Sequence, residues 1–178
     1  MLIGIDLGTS NCAVAIWKDG QSVLIPNVYG KNLTPSVIGL DDNGHILVGA
    51  PAQARLFTHP GLTLSSFKRF MGTEHQFRLG QQNFRAEELS ALLLRSLKAD
   101  VEQHCGCQVT RAIITVPAYF NDIQRKAVKA AGELAGLHVE RLLNEPTAAS
   151  LAYGLVNQQE QKFLVFDLGG GTFDVSII

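Results

Sequence analysis

The apolar positions divide the chain into a first part rich in strands and a later part in which helices and strands alternate. Alternating or continuous apolar runs predict strands, and apolar residues three or four positions apart predict helices. A polar turn joins the first two strands, and Asp19-Gly20 is a hairpin signal, so the chain should begin with three antiparallel strands. The predicted strands are 2–6, 11–17, 22–25, 36–40, 46–48, 111–116, 138–143, 163–167 and 172–178, with a small hairpin at 77–84.

The helical pattern is strongest in 86–104, and further helices are predicted at 51–57, 121–135 and 145–153. Gly106 and Gly136 should end the two longer helices. Their apolar stripes are Leu89, Leu92, Leu93, Leu97 and Val101 in the first, and Ile123, Ala127, Ala131 and Leu134 in the second. The order of elements predicts a layered α/β domain, and the last hairpin resembles the start of a second copy of the same unit.

The composition narrows the class of protein. A length of 178 residues suits one domain or two small lobes, which would bury roughly 70% of the unfolded surface. With 17% charged residues and a net charge of −1, a basic nucleic-acid module is disfavoured. No apolar run approaches the roughly 20 residues that span a bilayer, and no leader pattern follows Met1, so we expect a cytoplasmic protein without a membrane segment. Because the chain stops inside a predicted strand, we expect it to belong to a longer protein.

The three cysteines do not predict a disulfide framework or a metal centre. Cys105 and Cys107 follow His104, but no second Cys/His pair stands at a spacing that completes a tetrahedral set. Free thiols near a helix end are therefore the simpler interpretation. Neither a Gly-x-Ser-x-Gly elbow nor a Gly-x-x-x-x-Gly-Lys-Ser/Thr loop is found, which argues against those hydrolase and nucleotide-loop classes.

An internal repeat links the two ends of the chain. Residues 3–16 read IGIDLGTSNCAVAI and residues 164–177 read LVFDLGGGTFDVSI, with five of fourteen positions identical. Each copy is an apolar strand, an Asp-Leu-Gly turn and a second strand. One copy alone would be ordinary turn chemistry, but two copies in matching strands indicate two related units.

Each copy carries the groups that a phosphate and metal site needs. Asp6 and Asp167 end apolar strands, and the glycines that follow let backbone N–H groups approach an anion. Thr9, Ser10 and Thr172 supply hydroxyl donors. A carboxylate beside phosphates usually holds Mg²⁺ through its water shell. Two such hairpins face to face would hold the phosphates of a nucleotide.

These segments resemble a known family. Residues 3–11 (IGIDLGTSN) and 166–175 (FDLGGGTFDV) are similar to the two phosphate motifs of DnaK-type chaperones, the heat-shock-70 family. Between them, 115–122 (TVPAYFND) and 144–149 (NEPTAA) resemble two further signatures, and 68–72 (KRFMG) resembles the segment with the catalytic lysine. The similarity runs in order from residue 2 to 178. The stretch from Lys68 to Val116 is shorter than in typical members, and its details resemble the HscC-like branch.

The resemblance implies a site for ATP or ADP with Mg²⁺. Asp6, Glu145 and Asp167 would surround the hydrated metal. Lys68 would lie near the γ-phosphate and the attacking water, with Glu145, Asp167 and Thr172 as the other catalytic residues. Asp174 would help to organise the second hairpin. The nucleotide-binding residues would be Gly8, Thr9, Ser10, Asn11, Gly169, Gly170, Gly171 and Thr172.

The resemblance also implies a relay and partners. Pro117, Arg125 and Glu145 would connect the nucleotide to a peptide-binding domain, and Arg141 would meet a J-domain cochaperone, with unfolded peptides as clients. The simpler alternatives are a strand terminator for Pro117 and an ordinary exposed arginine for Arg141. Arg125, Lys126 and Lys129 are typical of a solvated helix face, although a cochaperone contact there is possible.

We therefore expect the actin/RNase H-like ATPase fold, with a first lobe and the opening hairpin of a second. Residues 1–38 and 86–158 would form the RNase H-like subdomain, 39–85 a reduced insert subdomain, and 159–178 the first hairpin of the second lobe. The full-length protein would be an ATPase that controls peptide binding. The 178-residue chain alone would bind ATP poorly, and its hairpin 161–178 would pair with another chain.

Two rival functions remain open from the residues. A metabolite kinase of the same superfamily would transfer phosphate to a small substrate, and an actin-like protein would use nucleotide to control assembly. The segments 117–122 and 144–149 are what favour the chaperone over both.

Overall fold

The computed structural model describes residues 1–154, 164–169 and 173–177. Its helices are α1 (Ala50–Gln53), α2 (Ala86–Cys105), α3 (Asp122–Leu134) and α4 (Glu145–Gly154), with short 3₁₀ helices at Pro60–Leu62 and Phe67–Phe70. The strands are β1 (Leu2–Leu7), β2 (Asn11–Lys18), β3 (Gln21–Leu24), β4 (Thr34–Pro35), β5 (Val37–Leu40), β6 (Ile46–Val48), β7 (Thr63–Ser65), β8 (Gln76–Leu79), β9 (Gln82–Arg85), β10 (Arg111–Val116), β11 (His138–Asn144), β12 (Leu164–Leu168) and β13 (Phe173–Ile177).

The largest sheet has the strand order β11-β10-β1-β2-β3, with β4 paired to β2. Strands β1, β10 and β11 are parallel, whereas β2 runs antiparallel to both β1 and β3. The predicted antiparallel start is thus confirmed, and the later parallel strands extend the same sheet. Because parallel strands end at the same edge, the carboxyl ends of β1, β10 and β11 lie side by side, which is where open α/β sheets bind ligands.

One face of this sheet forms the core. Along β1, Ile3, Ile5 and Leu7 are buried, and the residues between them are exposed, as the alternation of a strand requires. Helices α2 and α3 contact each other, and their buried residues belong to the same cluster as these strand residues. A side chain at Gly132 of α3 would collide with Val139 of β11, so glycine is needed for the helix to lie this close to the sheet.

Helix α2 has a clear signal at each end, of which Gly106 was predicted. The Glu88 carboxylate accepts a hydrogen bond from the Arg85 N–H at 2.7 Å, which satisfies a donor at the helix start. Gly106 ends the helix in the left-handed conformation, with φ of 63°. In the described part of the chain, no helix is both long and apolar enough to cross a membrane.

The segment between β4 and α2 forms smaller sheets. Strands β6, β5 and β7 make a three-stranded antiparallel sheet, and β8 and β9 make the predicted hairpin. The 3₁₀ helix Phe67–Phe70 packs against α2 and buries the Phe67 ring almost completely. This packing determines the position of Lys68, which follows directly.

Two details of the sequence prediction are wrong. The helix expected at 51–57 ends at Gln53, and the residues after it form turns. On α3, Ile123 and Leu134 are 64% and 53% exposed, whereas Ala127 and Ala131 are buried as expected. Small residues let α3 approach the sheet along a narrow stripe, so the large apolar residues near its two ends remain outside the contact.

Candidate functional site

An open cleft of about 630 Å³ lies at the carboxyl edge of the largest sheet. It brings together the turn after β1, the Phe67–Phe70 helix, the start of α4, and β12. The predicted site residues that line it are Asp6, Gly8, Thr9, Ser10, Asn11, Lys68, Glu145, Asp167 and Gly169. Three carboxylates and one ammonium group therefore share one cleft, although they are up to 161 positions apart in the sequence, from residue 6 to residue 167.

Asp6 is held at the end of β1 by a neighbour that the sequence reasoning did not single out. The Thr115 hydroxyl donates a hydrogen bond of 2.7 Å to the Asp6 Oδ1. Strands β1 and β10 are paired in parallel with Ile5 opposite Ile114. The next residues, Asp6 and Thr115, therefore lie side by side at the edge of the sheet. Thr115 lies in the motif 115–122, but only the strand register shows that it contacts this carboxylate.

The turn after β1 is tight and supported from below. A Cβ added at Gly8 would collide with the Asn11 carbonyl oxygen, so the turn requires a residue without a side chain. The Ser36 hydroxyl donates to the Gly8 carbonyl at 2.8 Å, and the Ser36 N–H donates to the Ser10 carbonyl at 2.8 Å. These bonds tie both sides of the turn to the segment between β4 and β5.

Cys12 lies beneath the same turn. Its Sγ is 3.3 Å from the Ser36 Oγ, and the residue has no exposed surface. Burial raises the pKa of the Cys12 thiol to about 11, which keeps the group neutral and unreactive. Neither Cys12 nor Ser36 belongs to a pattern that would have identified it in the sequence.

Lys68 and Glu145 form a buried ion pair at the centre of the cleft. The Lys68 Nζ is 2.7 Å from the Glu145 Oε1, and the two side chains are only 6% and 17% exposed. The Lys68 ammonium also lies 5.8 Å from the centre of the Phe120 ring, a cation–π contact. The resemblance implied roles for both residues, but the sequence did not indicate that they bind each other.

The environment of Glu145 reflects the concentration of negative charge. Burial raises the pKa of this carboxyl, and the charges of Asp6 and Asp167 add to the increase, whereas Lys68 lowers it. Glu145 is also the first residue of α4, where the helix dipole favours an anion. The pKa remains above its ordinary value because burial is the largest of these effects.

The second hairpin contributes the other wall of the cleft. Asp167 is partly buried and pairs with Asp174 across β12 and β13, and Gly169 is exposed at the turn. Gly170, Gly171 and Thr172 lie outside the described residues, as does the side chain of Asp174.

Arg125 connects the loop after β10 with the residue before Glu145. Its Nε donates to the Phe120 carbonyl at 2.8 Å, and its Nη2 donates to the Asn144 Oδ1 at 2.8 Å. Pro117 is buried at the start of this loop, and its carbonyl accepts from the Phe120 N–H at 3.1 Å. The three predicted relay residues are therefore linked through two that were not singled out, Phe120 and Asn144.

Arg141 lies away from the cleft. It is exposed on β11 and lines a shallow groove of about 430 Å³. Lys126, Lys129 and Arg125 line the same groove together with Asp122 and Glu140, so the surface is basic with two acidic groups.

The residues of the cleft fit a nucleotide with a divalent metal. The three carboxylates of the cleft could supply oxygen ligands to Mg²⁺ or to its water shell, and Lys68 could supply a cation for phosphate oxygens. The turn at Gly8 brings backbone close to the cleft, where N–H groups bind anions well. Within 1–154, 164–169 and 173–177, no group of three His, Cys, Asp or Glu side chains is close enough to ligate a metal directly.

Comparison with protein families gives one result. A family model described as "Hsp70 protein" matches residues 2–78 and 75–178. The two matched segments together extend over the chain from its second residue to its last, including every segment that lines the cleft.

Proposed function

The chain belongs to the Hsp70 family and has its actin/RNase H-like ATPase fold, and from this premise we propose that the cleft is the phosphate end of an ATP site. Hsp70-family proteins bind ATP or ADP with Mg²⁺ and act as chaperones. The buried Lys68–Glu145 pair carries the proposal, because an ion pair among two further carboxylates at a sheet edge is costly and serves phosphoryl chemistry well.

We assign the residues as follows. Lys68 would bind the γ-phosphate and orient the attacking water, since its Nζ already lies inside the cleft and its stem is buried. Thr9, Ser10, Asn11 and Gly169 would donate to phosphate oxygens from the two turns. Mg²⁺, when bound, would neutralise phosphate charge during hydrolysis. Asp6 and Asp167 would hold its waters, and Glu145 would turn partly from Lys68 toward it. Gly170, Gly171, Thr172 and Asp174 keep the roles that the resemblance implies.

The relay would use the contacts of Arg125. Glu145 is in the cleft, Asn144 precedes it, and Arg125 joins Asn144 to the loop that begins at the buried Pro117. A shift of Glu145 on nucleotide binding would therefore reach the surface loop through one side chain. A full-length protein would use such a shift to change its affinity for client peptides, and the basic groove around Arg141 would receive a J-domain cochaperone.

Three finer assignments accompany this proposal. Residues 1–38 and 86–158 would be the RNase H-like subdomain, 39–85 the reduced insert and 159–178 the opening of the second lobe. The shortened stretch from Lys68 to Val116 favours the HscC-like branch. The expected location is the cytoplasm.

The hairpin β12–β13 supports two proposals about the 178-residue chain itself. Six apolar side chains of one face are exposed by 49–78%: Leu164, Phe166, Leu168, Phe173, Val175 and Ile177. We propose that this chain alone binds ATP poorly, because one wall of the cleft is only this hairpin; a micromolar affinity in isothermal titration with Mg²⁺ would contradict that.

We also propose that the hairpin pairs with another chain, and light scattering that gives a strict monomer would refute it.

The test of the main proposal is single-turnover hydrolysis of ATP by the full-length protein. Lys68→Met should abolish hydrolysis while leaving nucleotide bound, since the lysine acts on the γ-phosphate. Lys18→Met, at an exposed lysine of β2 that lies outside the groove around Arg141, is the matched control and should behave as the wild type. Equal rates for both variants would overturn the assignment. Phosphate transfer to a sugar, or nucleotide-dependent pelleting, would favour a metabolite kinase or an assembly protein instead.

A further inference from the structure

A second cavity, of about 280 Å³, is lined by a buried carboxylate and shares no lining residue with the ATP cleft. The loop 25–33, strand β6, helix α1 and helix α2 surround it. Asp100 of α2 lines it with only 6% of its surface exposed. Asp100 also lines an adjoining opening of about 360 Å³, together with Gln103 and His104.

The Asp100 carboxylate accepts fewer hydrogen bonds than its two oxygens allow. In the described part of the chain its carboxylate receives one hydrogen bond, from the Val28 N–H to Oδ1 at 3.2 Å. The other oxygen accepts no hydrogen bond from the described residues and is not fully shielded from solvent. Among the described residues that line either opening, there is no lysine or arginine.

This position is costly for a charged carboxylate. Burial raises the pKa of Asp100 because the charged form loses water, and the single backbone hydrogen bond only partly offsets the loss. A buried charge without a partner is usually removed or paired. A cation beside Asp100 would offset that cost.

The cavity is preformed by a network that does not use Asp100. The buried Asn27 donates to the Leu33 carbonyl at 3.2 Å and to the Thr34 hydroxyl at 3.1 Å. Its Oδ1 accepts from the Tyr29 and Lys31 N–H groups at 3.0 and 3.1 Å. The Asn27 side chain therefore holds the loop, and the Asp100 carboxylate takes no part in that network.

The shape and rim match a long basic side chain. Val28, Tyr29 and Ile46 line the opening and are 64%, 56% and 46% exposed, so an aliphatic stem would find apolar contacts there. Ser96 also lines the cavity and, one helical turn before Asp100, lies on the same face of α2. A polar tip would then meet a hydroxyl and a carboxylate at the bottom.

We propose that this cavity, the Asp100 pocket, binds the side chain of an arginine carried by a partner polypeptide. The planar guanidinium has several donors, which suits the free carboxylate oxygen and the Ser96 hydroxyl together better than a point charge does. A volume of about 280 Å³ accepts one side chain rather than a larger ligand. The exposed aromatic and aliphatic rim favours a protein surface as the source of the arginine.

The test is NMR titration of the full chain with N-acetyl-arginine-N-methylamide. Saturable shifts should appear at Val28, Tyr29 and Ser96, and the pKa of Asp100, followed in the same spectra, should fall. The citrulline analogue, which has the same shape without charge, should bind at least about tenfold more weakly, because it cannot make the charge-assisted bond.

Asp100→Asn keeps the acceptor for the Val28 N–H and should remove the arginine response. It should unfold no more easily than the wild type, which separates lost binding from lost folding. Glu133→Gln, a change of an exposed acid on α3, is the matched control and should bind normally. Equal binding of citrulline, an unchanged response in Asp100→Asn, or shifts elsewhere would each overturn the proposal. Tighter binding of free arginine than of the blocked form would overturn the polypeptide source.

Discussion

Replacing Lys68 with methionine should destabilise the fold in a pH-dependent way. Methionine retains most of the buried aliphatic stem, so the change removes chiefly the ammonium group. The Glu145 carboxylate, whose Oε1 lies 2.7 Å from the lysine Nζ and whose side chain is 17% exposed, then remains buried without its cation.

The expected cost follows from that exposure. Breaking a fully buried ion pair by removing one partner costs about 3–5 kcal/mol. Because Glu145 retains some contact with water, we expect about 2–4 kcal/mol at pH 7. Glu145→Gln should also destabilise, since it leaves the ammonium unpaired. The double variant should cost less than the sum of the two, with a coupling of about 1–3 kcal/mol.

The sign of the pH dependence distinguishes the loss of the Lys68–Glu145 ion pair from a loss of packing. The pKa of Glu145 is already raised by burial, and loss of Lys68 raises it further. A group with a raised folded pKa contributes stability that is present below its unfolded pKa and lost as the pH rises through the folded pKa. The defect of Lys68→Met should therefore be largest near pH 7 and should shrink as the pH falls toward about 4.3, the ordinary pKa of glutamic acid.

Urea unfolding monitored by far-UV circular dichroism, repeated from pH 7 to 4.5, measures both effects. Trp17 is the only tryptophan and is 67% exposed, so its fluorescence is a weak reporter. Lys126→Met, on the exposed face of α3, should change the free energy of unfolding by less than about 0.5 kcal/mol at any pH. A Lys68→Met cost below that value, or a cost that does not vary with pH, would refute the reasoning.

Three further predictions concern the supports of the cleft. Gly8→Ala should destabilise by about 1–3 kcal/mol in the same urea assay, because its methyl group collides with a backbone carbonyl of the turn; unchanged stability would contradict this. Cys12 should resist alkylation at pH 8 until the protein unfolds, whereas the other two thiols are partly or fully exposed and should react first, as mass spectrometry would show. Arg125→Met should increase hydrogen exchange at Phe120, to which the arginine is bonded, and Lys129→Met should not; equal exchange in both would argue against the relay contact.

The order of elements was accessible from the sequence because each one carries its own local signals. The alternation in β1, the apolar stripe of α2 and the glycine after α2 depend on neighbours a few residues away. The helix expected at 51–57 was wrong beyond Gln53, because the Arg55 and Leu56 N–H groups bond only three residues back, to Ala52 and Gln53, as in turns. The stripe of α3 was wrong at its ends because sequence shows which residues are apolar but not how wide the covered strip is.

The repeat of the sequence points directly to Asp6 and Asp167, and the family resemblance adds Lys68 and Glu145. They do not identify the partners of these residues, because the partners come from other strands and loops. Thr115 reaches Asp6 through strand register, and Ser36 reaches the Gly8 turn across 28 positions. No periodicity or motif records such contacts.

The sequence by itself determined the α/β class of the fold and the turns that require glycine, since these depend on residue type and local spacing, and with the family resemblance it named the candidate side chains for phosphate and metal. The tertiary structure alone decided that Lys68 neutralises Glu145 across 77 positions, that Arg125 joins the loop after β10 to the end of β11, and that Asp100 accepts from the Val28 N–H beside a cavity. The physical reason is that charge interactions depend on distance in space and on exclusion of water, and both are established only when the sheet and helices pack.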